Sequence, residues 1–376
     1  MKFLFLEPFY GGSHKEFADG LIETSSHEIR LLSLPARFWK WRMHGAALQF
    51  CRRLPGLADF DGILATNMMS ITDFKALAGK YCPPVLVYFH ESQITYPAAP
   101  GRVPDYHYPF TDITSALAAE RVLFNSVSHM ERFFAELPGF IKMMPDFRPS
   151  WAVDGIREKS GVCMPGCRFP TNAANPPDMP PGPPIIVWNH RWEHDKNPEA
   201  FFRALYVLAD RGIEFRVAVM GQEFGEKPPE FKTAKKYLKD RIVRFGRVSS
   251  RDDYLDRLAR GTVVVSTALQ ENFGISVIEA ARYGCLPLVP RRLSYPEIMP
   301  AEFHNTLLYD SEAELVEKLA DILINPGAYA QLRGKISRFM TRFAWKKRVA
   351  DFDRELRALA TGQAEPNCKK YRKKYY

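Results

Sequence analysis

The sequence predicts an α/β protein with two parallel sheets flanked by helices, in two domains that face each other across a cleft. The chain has 376 residues, which is too long for one ordinary hydrophobic core and fits two domains. Short apolar runs alternate with helix-period stretches on both sides of a proline-rich segment at 175–184. Six prolines in those ten residues exclude a helix or a central strand, so we interpret the segment as a stiff linker.

The first domain, residues 1–174, carries four short apolar runs that we predict to be buried strands. These runs are Lys2–Glu7, Gly62–Thr66, Val85–Phe89 and Arg121–Phe124. A helix is predicted at Ser13–Thr24, where apolar residues recur at helical spacing. Ser13 and Glu16 fit a capping box at its start.

The second domain, residues 185–345, repeats the alternation of strands and helices. Strands are predicted at Ile185–Trp188, Phe215–Met220, Ile242–Phe245, Thr262–Ser266 and Leu286–Val289. Helices are predicted at Glu199–Asp210, Asp252–Ala259, Gly274–Tyr283, Glu312–Ile324 and Ala328–Phe339. Ligands of such sheets gather beyond the carboxyl ends of the strands, so functional residues are expected there.

The C-terminal region is predicted to hold one helix and a tail. The helix, at 346–362, can cross back to the N-terminal domain. Residues 363–376 are basic and poor in apolar side chains, which predicts a disordered basic tail. That tail could serve as a basic arm for RNA or be inert.

The composition limits which kinds of partner the protein is expected to bind. The net charge of +9 and a pI of about 9.1 favour an anionic partner such as nucleic acid, an acidic membrane surface or phosphate groups. No run approaches the length of about eighteen apolar residues that a membrane span needs, so no stable membrane insertion is expected. Scattered cysteines favour reduced thiols and a cytoplasmic protein, and the pair at Cys163 and Cys167 lacks the further ligands of a metal site.

The segment ENFGISVIE follows a predicted strand, opens a predicted helix and carries two acids eight residues apart. Gly274 lets a ligand approach the backbone, and the N–H groups of Phe273, Gly274 and Ile275 at a helix start favour phosphate. Glu271 is expected to bond a sugar hydroxyl and Glu279 a ribose diol. The alternative is an ordinary loop and a solvated helix that carry two acids.

Glu271 and Glu279 match the E-x7-E pattern of the family-4 retaining glycosyltransferases, and the residues around them match as well. This resemblance implies the GT-B fold, which agrees with the two-sheet prediction. It makes 1–174 a Rossmann-like acceptor domain and 185–345 a Rossmann-like domain that binds a nucleotide-sugar.

Arg191 and Lys196 lie on a loop after the first predicted strand of the second domain. A departing nucleoside diphosphate develops negative charge, which two fixed cations stabilise. In the family that this sequence resembles, an Arg and a Lys at these places grip the diphosphate, so neither a metal nor another cofactor is expected. His190 and His194 lack partner ligands and are interpreted as supporting or solvent-facing. A charged surface loop is the alternative.

Four further residues, in three segments, are implied by the resemblance. Gly11 and Gly12 follow the first strand and would approach the donor, although such a pair can also be a simple turn. His90 ends the strand Val85–Phe89 and would contact the transferred sugar, although most single histidines are structural. Val248, in the segment RFGRV, would frame the nucleobase.

Four longer segments, EPFYGGSH, YFHESQITYP, HRWEHDKNP and LSYPEI, resemble the tRNA-queuosine alpha-mannosyltransferase group. The likeness extends from about Lys2 to about Arg357. It implies a retaining transfer of mannose from GDP-mannose to queuosine at the wobble position of tRNA-Asp. Two alternatives are a transferase for a lipid or cell-surface polysaccharide and a tRNA-binding protein without transfer activity.

Two basic segments are consistent with RNA as a partner. Cations that neutralise phosphates and aromatic residues that stack on bases together hold unpaired nucleotides. The predicted RNA-binding residues are Trp39, Lys40, Trp41, Arg42, Lys235, Lys236 and Lys239. A buried loop is the alternative for the first segment and a solvated helix for the second.

Overall fold

The computed structural model describes residues 1–54, 56–97, 105–169, 182–221 and 228–363. The chain divides into two compact units. The first comprises Met1–Arg168 and the C-terminal segment from Ala344, and the second comprises Phe169–Phe343. Most of the predicted linker at 175–184 and nearly all of the predicted tail at 363–376 lie outside the described residues.

The first unit contains one parallel sheet. Its strands are β1 (Lys2–Tyr10), β2 (Glu28–Pro35), β3 (Gly62–Thr66), β4 (Val85–Phe89), β5 (Arg121–Phe124) and β6 (Ser160–Val162). They are ordered β2-β1-β3-β4-β5-β6, and every pairing is parallel. The four predicted strands are confirmed. β2 and β6 show no long apolar run, because β2 is a partly exposed edge strand and β6 has only three residues.

Helices connect these strands. They are α1 (Gly12–Thr24), α2 (Trp39–Cys51), α3 (Ile71–Ala78), α4 (His107–Ala118), α5 (Val127–Lys142) and α6 (Trp151–Arg157). The predicted helix at Ser13–Thr24 is confirmed, but the predicted capping box is wrong. Gly11 is the N-cap and no side chain caps this end. Ser13 therefore lies inside the first turn, where its hydroxyl cannot act as the N-cap acceptor.

The second unit holds another parallel sheet, whose predicted strands are confirmed within one residue at each end. Its strands are β7 (Ile185–Trp188), β8 (Arg216–Val219), β9 (Ile242–Phe245), β10 (Val263–Val265), β11 (Leu286–Pro290) and β12 (Leu308–Tyr309). They are ordered β12-β11-β10-β7-β8-β9. Because β7 and β10 are parallel neighbours, the loops that leave their carboxyl ends emerge side by side.

The helices of the second unit include all five predicted ones. They are α7 (Pro198–Asp210), α8 (Glu230–Tyr237), α9 (Arg251–Ala259), α10 (Ile275–Arg282), α11 (Tyr295–Ile298), α12 (His304–Leu307), α13 (Glu312–Ile324) and α14 (Ala330–Met340). α14 begins two residues later than predicted, because Pro326–Tyr329 form a 3-10 turn.

The final helix, α15 (Trp345–Thr361), belongs to the first unit. Its buried residues Trp345 and Phe352 join an apolar cluster with Phe17 of α1 and Tyr88 of β4. This packing extends the core of the first unit on the face of the sheet that α1 covers. Within the described part of the chain, none of the helices combines the length and the apolar character needed to cross a membrane.

Candidate active site

Glu271 lies on the loop between β10 and α10, where its carboxylate meets the start of the helix. Glu271 Oε1 accepts from the N–H of Gly274 at 3.1 Å and from that of Phe273 at 3.5 Å. Gly274 has a φ of +100°, and a Cβ there would lie 2.9 Å from Ile298 Cδ1, so the position requires glycine. Two of the three amides predicted for phosphate are therefore bonded to Glu271 in this structure, and these bonds orient its side chain.

Lys196 is buried at the end of the neighbouring loop, which follows β7. Its Nζ donates to the Gln270 carbonyl at 2.5 Å and lies 3.1 Å from Asp195 Oδ2 and 3.5 Å from Glu271 Oε2. The Thr267 hydroxyl donates to the Lys196 carbonyl at 2.9 Å. The two loops are thus tied together by main-chain and side-chain contacts, and they hold a lysine and a glutamate at the carboxyl edge of the sheet.

The surroundings fix the charge of each group. Burial acts to lower the pKa of Lys196, but the carboxylates of Glu271 and Asp195 outweigh burial and raise this pKa above its usual value. Burial acts to raise the pKa of Glu271, but Lys196 and other partners outweigh it, so that this pKa lies below its usual value. Burial and the Lys196 charge lower the pKa of His190 to about 4. Near pH 7 the lysine is cationic, the glutamate anionic and the histidine neutral.

Arg191, the second predicted ligand of the diphosphate, remains accessible. Its side chain is 46% exposed, and its Nη2 lies 3.1 Å from Glu193 Oε2. The Arg191 charge helps to lower the pKa of Glu271 and acts against the raised pKa of Lys196, so Arg191 is within electrostatic reach of both. The structure therefore brings these three predicted residues to one corner of the second unit.

Glu279, inside α10, is held by two residues of α9 that the sequence analysis does not assign to the donor site. Arg251 donates to Glu279 Oε1, and the Tyr254 hydroxyl donates to Oε2 at 3.4 Å. Asn189 Nδ2 donates to the same hydroxyl at 2.9 Å. One sequence feature could have pointed to α9 as part of the donor site: it begins just after the RFGRV turn. Val248 lies half-buried in that turn.

The Gly11–Gly12 turn follows β1 in the first unit. Gly12 adopts a φ of +52°, in the left-handed region that favours glycine. A Cβ on Gly11 would collide with the Cβ of Ala36, where the chain leaves β2. Local backbone geometry and packing thus explain why glycine occupies both positions. Contact of these glycines with a donor stays a prediction.

His90 directly follows β4, and its imidazole sits among three rings. Its ring centroid is 4.1 Å from that of His14, 4.8 Å from that of Phe17 and 4.9 Å from that of Tyr88. Burial, with the imidazoles of His14 and His129, lowers the pKa of His90 well below its usual range. His90 is therefore neutral near pH 7, in a state that suits hydrogen bonding to a hydroxyl.

Glu7, His14 and His90 are the single group of three potential metal ligands among the described residues, with ligand atoms within 4.8 Å of one another. Glu7 is completely buried, and its carboxylate accepts from the Phe9 N–H at 2.8 Å and from the Thr66 hydroxyl at 3.2 Å. His14 Nδ1 lies 3.2 Å from both carboxylate oxygens. These contacts give the carboxylate hydrogen-bond partners within the protein.

The predicted RNA-binding aromatic residues at the start of α2 differ in exposure. Trp39 packs on Tyr108 with ring centroids 5.0 Å apart, and Lys40 Nζ lies 5.7 Å from the centroid of the Trp39 ring. Trp41 is 74% exposed, and Phe38, which precedes the helix, is 69% exposed. Trp39 therefore packs against its neighbours, whereas Trp41 and Phe38 are largely exposed.

The remaining predicted RNA-binding residues are cations. Arg42 Nη2 donates to the Pro35 carbonyl at 3.2 Å. Lys235 and Lys236 are exposed on α8, and Lys239 is exposed just after it. These lysines form a basic surface on the second unit, which fits both RNA binding and the solvated-helix alternative.

Comparisons with known sequences cover both units. Residues 2–167 match the family model described as tRNA-queuosine alpha-mannosyltransferase N-terminal, and residues 172–338 match the model for glycosyl transferases group 1. The tRNA-queuosine alpha-mannosyltransferase of Drosophila melanogaster is 35% identical over 344 residues, which cover 88% of this chain and 89% of that protein.

Comparisons with solved structures identify the fold. Sucrose-phosphate synthase from Thermosynechococcus elongatus has a TM-score of 0.73 at 14% identity, covering 96% of this chain and 100% of that chain. Anabaena HepE in complex with UDP has a TM-score of 0.64 at 15% identity, covering 95% of this chain and 100% of that chain. Together with the two parallel sheets, these likenesses show the GT-B fold.

Proposed function

The chain belongs to the tRNA-queuosine alpha-mannosyltransferase family, and we propose that it transfers mannose from GDP-mannose to queuosine at the wobble position of tRNA-Asp, in the cytoplasm. The single observation that carries the proposal is the contact between the buried Lys196 and the partly buried Glu271. It sets one fixed cation and one fixed anion at the carboxyl edge of the sheet in the second unit. Transfer from a nucleotide-sugar needs the cation for the diphosphate and an acceptor group for the sugar hydroxyls.

We assign donor binding in the second unit as follows. Arg191 and Lys196 neutralise the diphosphate, and the start of α10 adds the positive end of the helix dipole. Glu279 accepts from the ribose hydroxyls, held in place by Arg251. Val248 lies beside the nucleobase. In this assignment the cations supply the positive charge that divalent metals supply in other phosphoryl-leaving reactions.

The reaction then follows with retention. A queuosine hydroxyl oxygen attacks C1 of mannose from the face by which the diphosphate leaves. The bond from C1 to the acceptor oxygen forms as the bond from C1 to the diphosphate oxygen breaks, and the hydroxyl proton passes to a diphosphate oxygen. Glu271 and the neutral His90 position the sugar, and Lys196 with Arg191 stabilises the charge that develops on GDP.

The cation–aromatic surface at the start of α2 is assigned to the tRNA. The sequence carries no Asp or Glu between Glu28 and Asp59, so the cations here are not neutralised by neighbours along the chain. Trp41 offers an exposed ring for stacking. The nearby cations lie against other rings, Arg37 at Phe38 and Lys40 at Trp39. This combination fits the unpaired bases of an anticodon loop better than a duplex, whose stacked bases leave no free face.

The test is a transfer assay with purified protein. Total tRNA that contains queuosine is incubated with each of GDP-mannose, UDP-glucose and UDP-galactose, and the nucleosides are analysed by mass spectrometry. We expect a hexose on queuosine from tRNA-Asp with GDP-mannose alone. Transfer only from a UDP-sugar would overturn the donor assignment. Transfer to a lipid or polysaccharide fraction with none to tRNA would overturn the acceptor assignment.

A further inference from the structure

A buried carboxylate–imidazole pair stands beside His90 in the first unit. Glu7 lies in β1 and His14 in the first turn of α1, so the glycine turn brings them together. The Glu7 carboxylate accepts from a main-chain N–H and a hydroxyl, and His14 Nδ1 lies 3.2 Å from both of its oxygens. With the His14 ring nitrogen as the donor to these two oxygens, the His14 proton is held at Nδ1.

The His14 ring forms one wall of the space that His90 occupies. The two ring planes are inclined by 43° with their centroids 4.1 Å apart. The other walls are parts of the core: Phe17 is buried, and the Tyr88 hydroxyl donates to the Cys163 carbonyl at 3.0 Å. His14 differs from Phe17 and Tyr88 because the orientation of its ring depends on its hydrogen bond to Glu7.

We propose that Glu7 and His14 are positioning residues for His90. Glu7 fixes the proton and the ring plane of His14, and His14 in turn fixes the ring plane of His90. Glu7 is completely buried, so it acts through His14 and not on a substrate. The inference rests on the proposed function, because it requires His90 to contact the transferred sugar. Misplacing a group by about 1 Å can cost about 100-fold in rate, so a fixed ring matters for turnover.

The variants Glu7→Gln and His14→Asn test the proposal. Gln keeps the shape of Glu7 but offers an N–H₂ group, and Asn keeps an N–H donor for Glu7 but removes the ring. We expect kcat to fall about tenfold in each, with the KM for GDP-mannose changed by less than about threefold. Lys15→Ala is the control, because Lys15 adjoins His14 but bonds to Asp19 and Tyr10, and it should keep wild-type activity.

A double-mutant comparison separates positioning from simple stability. In a His90→Ala background, His14→Asn should cause no further loss of kcat, since the residue through which it acts is gone. The same tenfold loss in both backgrounds would overturn the proposal, as would full activity in both single variants. If Glu7→Gln does not fold, the comparison of His14→Asn in the wild-type and His90→Ala backgrounds tests the proposal by itself.

Imidazole ¹⁵N spectra give a readout that does not depend on activity, and so they distinguish failure of this inference from failure of the proposed function. We expect the His14 signals of the wild-type protein to report a proton at Nδ1 and the His90 ring signals to shift in His14→Asn. Unshifted His90 signals would overturn the inference even in an active enzyme. Stoichiometric metal in the purified protein that is lost in Glu7→Gln would also overturn it, in favour of a metal site.

Discussion

Lys196 contacts both Glu271 and the residue before it. Its Nζ lies 3.5 Å from the Glu271 carboxylate and donates to the Gln270 carbonyl at 2.5 Å. The lysine is therefore anchored to the main chain of the loop as well as to its acidic side chain. A charge held in this way needs little reorganisation when negative charge develops on a leaving diphosphate.

Replacing Glu271 with Gln should remove an acceptor for the sugar hydroxyl while preserving the shape of the loop. We expect kcat for mannosyl transfer to fall by about 100-fold or more, as is usual when a preorganised polar group is removed. Steady-state assays with tRNA and GDP-mannose measure this. Glu199→Gln is the matched control, because Glu199 pairs with partly exposed Arg203 on α7 and its loss should leave kcat within about twofold. Equal rates in both variants would contradict the assignment.

The buried ion pair between Arg121 and Glu355 should anchor α15 to the first unit. Arg121 Nε lies 2.7 Å from Glu355 Oε2, Nη2 lies 3.2 Å from Oε1, and both side chains are buried. Glu355→Gln leaves the Arg121 charge buried without its counter-ion, so we expect a loss of about 3–5 kcal/mol in the free energy of unfolding. Urea unfolding measures it.

Removing both charges provides the control for this pair. The double replacement Arg121→Met with Glu355→Leu should recover most of the stability, because no isolated charge is then left buried. A double variant as unstable as Glu355→Gln would show that packing, and not the unpaired charge, accounts for the loss.

Asp112 should make stability fall as the pH rises from about 4 to about 7. It is fully buried on α4 and accepts from the Gln93 N–H at 2.7 Å and the Ser92 hydroxyl at 3.1 Å. Burial raises its pKa to about 7, well above that of an unfolded chain. Because the folded state keeps the Asp112 proton to a higher pH than the unfolded chain, this contribution to stability is complete below the unfolded pKa, declines as the pH rises, and is fully lost once the pH has passed about 7.

We therefore expect the free energy of unfolding to decline by up to about 1.4 kcal/mol per pH unit between the unfolded pKa of about 3.9 and the folded pKa of about 7, with no further slope from Asp112 above that range. Asp112→Asn should remove this part of the slope, because the amide does not titrate. Urea unfolding from about pH 4 to about pH 8 compares the two proteins. Parallel pH profiles would contradict the assignment of the slope to Asp112.

Much of the sheet framework could be predicted from the sequence because most strands are buried on both faces. Gly62–Thr66 and Val85–Phe89 are fully buried and read as short continuous apolar runs with sharp ends. β2 could not be predicted in this way, since it lies at a sheet edge and mixes exposed and buried positions. The N-cap of α1 could not be predicted either, because the helix begins at Gly12 in the left-handed region and has no capping side chain.

The donor site could be predicted in part. Lys196 and Glu271 could be predicted because each follows a strand, and the two strands end at the same edge of the sheet. Arg251 was not, because its contact with Glu279 joins residues 28 positions apart on two different helices and leaves no spacing pattern. Contacts of that kind depend on how α9 and α10 pack, which only the fold reveals.

Trp41 should stack on an unpaired base of the tRNA, whereas Trp39 should support the helix from which it projects. We expect Trp41→Ala to weaken tRNA binding by about tenfold or more, since stacking of one base contributes about 1–3 kcal/mol. Leu48→Ala is the matched control, because Leu48 is an exposed apolar residue on the same helix. Filter binding or fluorescence anisotropy with queuosine-containing tRNA-Asp gives the dissociation constants.

The salt dependence of binding separates stacking from charge at this surface. Trp41→Ala should lower the affinity without changing the slope of log K against log salt, because the tryptophan neutralises no phosphate. Arg37→Ala should reduce that slope by about 0.7–0.9, the value for one phosphate contact. If Trp41→Ala instead binds like Leu48→Ala at every salt concentration, the exposed ring faces solvent in the complex and the RNA is held elsewhere.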